Sequence, residues 1–167
     1  KWFAPSLVFT TEEAWKARGN NTSIHLEDFS FIEEDYKNEE INIKWKIIKD
    51  IRKVITGALE LQRKDKIIRS GLDASIDVYL TSDLFKTVKN VNLTEISITS
   101  LANIIETNEH EKGFIIEGIK GISVIVNKAL GNKCDRCWQV LPEVKNIGDI
   151  CIRCKEVVTK MGFSNLN

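Results

Sequence analysis

Every cysteine in the chain lies between Lys133 and Cys154, in the stretch KCDRCWQVLPEVKNIGDICIRC. Cys134 and Cys137 form one C-x-x-C pair, Cys151 and Cys154 a second, with thirteen residues between the pairs. Nothing else in the sequence restricts its fold as much. A C-x-x-C turn sets two thiolates on one ion, and a second such turn closes a tetrahedral site. Four ligands leave no open position, so an ion held this way is structural and not catalytic. Pro142 and Gly148 supply turns within the spacer, which lets it fold back as a short ribbon. Zinc is the expected ion, one per chain. Spacing alone leaves three other uses open. Disulfides need an oxidising compartment, and no secretion signal is visible here. A thioredoxin-like redox pair needs one C-x-x-C in a βαβ setting. A rubredoxin-like iron site uses the same two-knuckle logic.

The residues around the cysteines carry charge and one large ring. From Lys128 to Lys160 there are seven basic residues and four acidic ones. A zinc ion with four thiolates is a dianion, so Lys133, Arg136, Arg153 and Lys155 can balance the centre, contact phosphate, or do both. Trp138, directly after Cys137, is either the small core of the ribbon or a stacking platform for an unpaired base. His25 and His110 have no partner at ligand spacing and read as ordinary polar residues.

Composition excludes more than it identifies. The chain has 24 basic and 24 acidic residues in 167, so any nucleic-acid contact must be a local patch. A hydrophobic content of 43 % is enough for a core and argues against disorder. No apolar run approaches the length of a membrane span, and no signal peptide is visible, so a cytoplasmic location is expected; a monomer is expected as well. The chain opens on KWFAPSLVF, and its one methionine is Met161, so it reads as a piece of a longer protein.

Local patterns predict the elements. In FTTEEAW, Thr10 and Glu13 have the spacing of a capping box, and Gly19-Asn20-Asn21 ends the helix that follows. SIHLEDF alternates briefly and reads as extended; residues 33–40 are a charged connector. From Ile41 to about Lys66, Trp45, Ile48, Ile51, Ile55, Ala58 and Leu59 recur at helical spacing. Lys46, Lys49, Lys53 and Arg63 fall largely off that face, as a solvated surface or a positive face for RNA. LDASIDVYL alternates as a half-buried strand. SDLFKTVKN reads as a short helix capped by Ser82 or Asp83, TEISITSL as a second strand, and GFIIEGIKGISVIVNKA as one or two more. Gly118 and Gly121 lack any phosphate-loop pattern and suit a hairpin or bulge.

The stretch KALGNKCDRCWQV…ICIRC resembles the C-terminal zinc-binding motif of bacterial-type isoleucyl-tRNA synthetases, K-C-x-R-C-W followed by C-x-R-C. Lys133, Cys134, Arg136, Cys137, Trp138, Cys151, Arg153 and Cys154 fit it. APSLVFTTEEAW is similar to a helix of that family's anticodon-binding bundle, and WKIIKDIRKVITGALELQRKDKIIRSGLDASIDVYL to its long tryptophan-led helix and the strand after it. EGIKGISVIVNKALGNKC matches its approach to the ribbon. Where the family often has an aromatic residue or histidine after the tryptophan, this chain has Gln139-Val140. The resemblance implies an α+β architecture in three parts: the end of a helical anticodon-binding domain at 1–68, a small α/β domain at 69–131, and a four-cysteine zinc ribbon and tail at 132–167. It implies a metal set of Cys134, Cys137, Cys151 and Cys154, with Lys133, Arg136, Trp138 and Arg153 toward RNA. The family couples isoleucine to its tRNA using ATP. Its HIGH-like and KMSKS-like signatures and its editing domain do not occur in this sequence. The implied role is therefore to hold the anticodon stem and loop of isoleucine tRNA, without catalysis. A zinc-ribbon adaptor that binds protein is the other class of function.

Overall fold

The structure, a computed structural model, describes residues 1–108 and 113–162; His110 lies outside them. It divides into two compact units, Lys1–Glu40 and Ile41–Asn167, a division drawn on packing. The boundaries at 68 and 131 are those that the family resemblance implies.

In the first unit, α1 spans Val8–Ala17. The chain already turns before it: Leu7 N–H donates to Phe3 O at 2.8 Å and Thr11 N–H to Leu7 O at 2.9 Å. Leu7 therefore holds the N-cap position with no side-chain cap, and Thr10 and Glu13 lie inside the helix instead of forming a capping box. Gly19, at φ +86°, stands just past the end. The expected extended segment is a 3₁₀ turn, Ile24–Leu26, because Glu12 anchors its start. Its carboxylate accepts from Ser23 Oγ at 2.8 Å and Ile24 N–H at 2.9 Å. Those bonds, the hydroxyl's first, hold Glu12 below the usual carboxylate range. His25 Nε2 sits 3.1 Å from Val8 O. The charged connector contains a second 3₁₀ turn, Glu34–Tyr36.

The second unit is built on α2, Glu39–Lys64, and a three-stranded sheet. Ile48, Ile51, Val54, Ile55, Ala58 and Leu59 are the buried face of α2. Trp45 is not part of it: it is 45 % exposed, one turn before the sheet's cover begins. Val54 joins the face because the covered arc is broad. It extends round to Gly57, where a Cβ would stand 2.7 Å from Phe114 Cε1.

Strand β1 (Ala74–Leu80) alternates as expected, with Ala74, Ile76, Val78 and Leu80 turned into the core. It is the middle strand. β2 (Leu101–Glu106) pairs with it in parallel, β3 (Ile122–Lys128) antiparallel. The crossover to β2 holds α3 (Ser82–Val88) and α4 (Leu93–Ser97). Thr81, not Ser82 or Asp83, is the N-cap position of α3. TEISITS is not a strand: Asn92 Oδ1 accepts from Glu95 N–H at 3.3 Å and starts α4. Ile98, in the left-handed region, ends it. Phe114 and Val124 exchange both backbone bonds, so the segment holding Gly118 and Gly121 closes as a wide hairpin. One apolar core joins α2, the sheet, Val88 and Leu93.

The ribbon pairs β4 (Asn132–Lys133) with β5 (Val140–Leu141), and ends in α5 (Ile152–Lys160). The first C-x-x-C is the tip of this hairpin, with Cys134 N–H bonded to Gln139 O and Trp138 N–H to Cys134 O. The second opens α5, with Cys151 as its N-cap residue.

Candidate metal centre and its basic surround

The two knuckles bring all four sulfurs together. The Sγ atoms of Cys134, Cys137, Cys151 and Cys154 lie within 4.8 Å of one another, and Cys137 and Cys151 are 3.8 Å apart. A tetrahedral zinc site with Zn–S near 2.3 Å has edges of about 3.8 Å, so the donor set has the chemistry and the spacing for the ion. All four cysteines are free, and only Cys137 is more than marginally exposed.

The protein favours thiolate at one position and resists it at others. Burial works against charge on Cys134, but the N–H groups of Cys137, Cys151 and Arg136 outweigh it and hold the thiol at about 6. Cys151 N–H stands 3.2 Å from that sulfur. Burial pushes Cys151 up to about 12, with the neighbouring sulfurs adding to the effect, and burial likewise raises Cys137. A cation among the four removes the conflict, because thiolates coordinated to it are charge-compensated.

Arg136 and Arg153 both face this cluster. Arg136 Nη1 donates to Cys154 Sγ at 3.6 Å. The Cys137 sulfur raises the already high pKa of Arg153, whose Nη1 also lies 3.9 Å from Glu95 Oε1 on α4. The ribbon's own core is Val144 with the cysteines, flanked by Leu141 and Ile150. Trp138 is not that core. It is 59 % exposed, its backbone is left-handed at φ +68°, and Lys133 Nζ lies 5.0 Å from its ring centroid. The structure thus gathers Lys133, Arg136, Trp138 and Arg153 around one knuckle pair.

Sequence reasoning missed the seam that seats the ribbon. Thr99 and Ser100, buried hydroxyl residues between α4 and β2, meet Gln139 and Val140. Val140 N–H donates to Ser100 Oγ at 2.7 Å, Ser100 Oγ donates to Leu72 O, and Gln139 Nε2 donates to Thr99 O at 3.4 Å. Gln139 and Val140, directly after the tryptophan, are thus the residues that dock the ribbon. Glu143 fixes the other knuckle by accepting from Ile152 N–H at 2.9 Å. Ser100→Ala strands the Val140 N–H and is expected to destabilise the protein by about 1–3 kcal/mol, measured by urea unfolding. A loss below about 0.5 kcal/mol would show that the seam closes without it.

Comparison with known proteins bears on the same residues. Residues 1–79 match the family model of the anticodon-binding domain of tRNA ligase. Over 145 residues, 86 % of the chain, it is 41 % identical to an isoleucine–tRNA ligase of Bartonella henselae, of which it covers 15 %. It is 38 % identical over 143 residues to that of Bradyrhizobium diazoefficiens, covering 84 % of the chain and 14 % of the relative. With that of Zymomonas mobilis it shares 32 % over 159 residues, 95 % of the chain and 16 % of the relative. The chain thus spans about one-seventh of the length of these relatives. From the resemblance of the four-cysteine motif to these matches along nearly all its residues, the chain belongs to the isoleucine–tRNA ligase family, as a segment of its C-terminal, anticodon-binding region.

Proposed function

We propose that this segment is the tRNA-binding module of an isoleucine–tRNA ligase, holding the anticodon arm of isoleucine tRNA while a separate region uses ATP to attach the amino acid. The parent enzyme is read as a cytoplasmic monomer; among the described residues no helix is long and apolar enough to cross a membrane. The observation that carries the reading is the anticodon-binding match over residues 1–79, which includes α2 and all but the last residue of β1. The division proposed for the work is 1–68 and the ribbon at 132–167 toward RNA, with the small α/β domain at 69–131 between them in sequence. The segment carries no nucleotide-binding signature, and no catalysis is assigned to it.

Cys134, Cys137, Cys151 and Cys154 would hold one zinc ion, which supplies a cross-link between the two knuckles and no reaction chemistry. The chain's own groups do the binding. Arg136 offers a guanidinium beside the sulfur cluster, and Trp138 presents an exposed ring. Phosphate contacts fix position, and an unpaired loop base is read by stacking and edge hydrogen bonds.

The test is affinity for isoleucine tRNA and for a non-cognate tRNA across a salt series. Arg136→Gln is expected to lower the slope of log affinity against log salt by roughly one contact's worth. Trp138→Ala is expected to weaken binding about five- to hundredfold with the slope nearly unchanged and zinc affinity retained, because the ring is outside the ribbon core. Equal, weak binding of both tRNAs with no response to either substitution would defeat the reading and favour a protein-binding adaptor.

A further inference from the structure

The chain is neutral overall, with 24 residues of each sign, but the solvent side of α2 is not. At 3.6 residues per turn, the buried positions Ile48, Ile51, Val54, Ile55, Ala58 and Leu59 occupy one side of the helix. Lys46, Lys49, Arg52, Lys53, Arg63 and Lys64, all exposed, fall within an arc of about 120° on the other. One acidic residue shares that arc, Glu60, and it is already paired with Arg63. Lys46, Lys49 and Lys53 have no ion-pair partner among the described residues. From Lys46 to Lys64 the ridge is about 27 Å long, at a rise of 1.5 Å per residue.

The ridge connects to the ribbon through one short helix. Arg52 Nε donates to Ile96 O at 3.1 Å. On the neighbouring residue of α4, Glu95 Oε1 meets Arg153 Nη1 at 3.9 Å. Two adjacent residues thus receive a cation from α2 and a cation from the ribbon. Arg136 and the Lys133–Trp138 pair belong to that same ribbon, beside the metal knuckles.

We propose that the outward face of α2 and the cationic side of the ribbon form one continuous track for an RNA sugar-phosphate backbone, joined across α4 with Arg52 as the joint. The inference rests on the tRNA-binding reading and deepens it, by assigning a surface that the cysteine motif does not include. Lys46, Lys49, Arg52 and Lys53 follow one another within about 10 Å of rise, with Arg63 and Lys64 about 15 Å further along the helix; such a run suits a linear polyanion, and its sequence-independent contacts would set the register of the arm while the ribbon meets the loop. Arg52 is a positioning residue here: its Nε–H is engaged by Ile96 O, which fixes the guanidinium at the joint.

The experiment uses this chain, loaded with zinc, against isoleucine tRNA and against its anticodon stem-loop as an isolated hairpin, over a salt series. The triple variant K46Q/K49Q/K53Q is expected to lower the salt slope by about two to three and to weaken binding of both RNAs about 100-fold near 0.1 M salt. The triple variant K46R/K49R/K53R, which keeps the charge, is expected to restore both. The positions are exposed on a helix and glutamine is a good helix former, so an unchanged thermal midpoint shows that the fold is kept. If the glutamine triple leaves the slope unchanged while Arg136→Gln lowers it, the track is overturned and the tRNA-binding reading stands. If the triple affects the whole tRNA but not the hairpin, the ridge and the ribbon do not share one arm, and the track is overturned too. If no variant moves a weak, non-selective affinity, the underlying reading falls and takes the inference with it.

Discussion

Chelating the ion from the four-cysteine site is expected to unfold residues 132–160 and leave α2 and the three-stranded sheet in place. The ribbon has two strands of two residues each and a core of Val144 among sulfurs, so it has too little apolar surface to fold without a staple. The free energy of structural zinc binding, about 10–16 kcal/mol in small peptides, is in such a segment its folding energy. The main core holds no ribbon residue. Far-UV circular dichroism should therefore fall only by about the content of α5. Hydrogen exchange should become fast at Cys151 and Lys155 and stay slow at Ile51 and Val78. Cooperative loss of all helix on chelation would mean instead that the seam at Ser100 and Val140 makes one folding unit of the whole.

Gly131→Ala should damage the ribbon nearly as severely with the cysteines untouched. Gly131 enters β4 at φ +108°, and a Cβ there would stand 2.2 Å from Leu141 O and 2.5 Å from Pro142 N. Those are backbone atoms of the paired strand, so they cannot move aside without breaking the hairpin that presents Cys134 and Cys137. The expected loss is at least about 3 kcal/mol, seen as roughly a hundredfold or more in zinc affinity by competition. Gly118→Ala is the control. Its φ is +86°, but no atom lies within 4 Å of the added Cβ, so only the backbone strain of about 1–2 kcal/mol is expected. Equal effects of the two would show that conformation and not the close approach is limiting.

These contrasts mirror what the sequence could and could not convey. Paired knuckles at fixed spacing announced a common site, because a C-x-x-C turn has few geometries. β1 was legible because period-2 alternation survives wherever one face is buried. The stripe on α2 was legible in direction but not in extent. Periodicity located Ile48 to Leu59, but could not say that the sheet's cover begins after Trp45, nor that Gly57 lies under Phe114. TEISITS misled because β-branched residues favour strands on average. The local event was the Asn92 cap, with Asn92 and Glu95 three apart, followed by Ile98 in a left-handed turn. Thr10 misled the other way, as a good cap that the chain passes after turning at Phe3. The seam of Thr99, Ser100, Gln139 and Val140 left no local signal, since one hydroxyl, one side-chain amide and two backbone groups acquire meaning only when forty residues of chain bring them together. Trp138 shows the same limit: its neighbours in sequence fixed its place beside the metal site, but only the left-handed backbone turns it outward.

The position of β1 in the sheet also sets a timetable. As the polypeptide leaves the ribosome, the middle strand appears before both of its neighbours. β2 follows through α3 and α4, and β3 arrives last, pairing Ala74 with Lys128. Roughly twenty residues separate the end of β2 from the end of β3, about 1–4 s of synthesis at 5–20 residues per second. For that interval the antiparallel edge of β1, with Ile76 and Val78 beside it, is open to pairing with another nascent chain. α2, made earlier, can already lie across the apolar face, which shields the side chains but not the edge. A synthetic pause placed between β2 and β3 is thus where this fold is most exposed to aggregation, and fast decoding of that stretch is where its yield is protected.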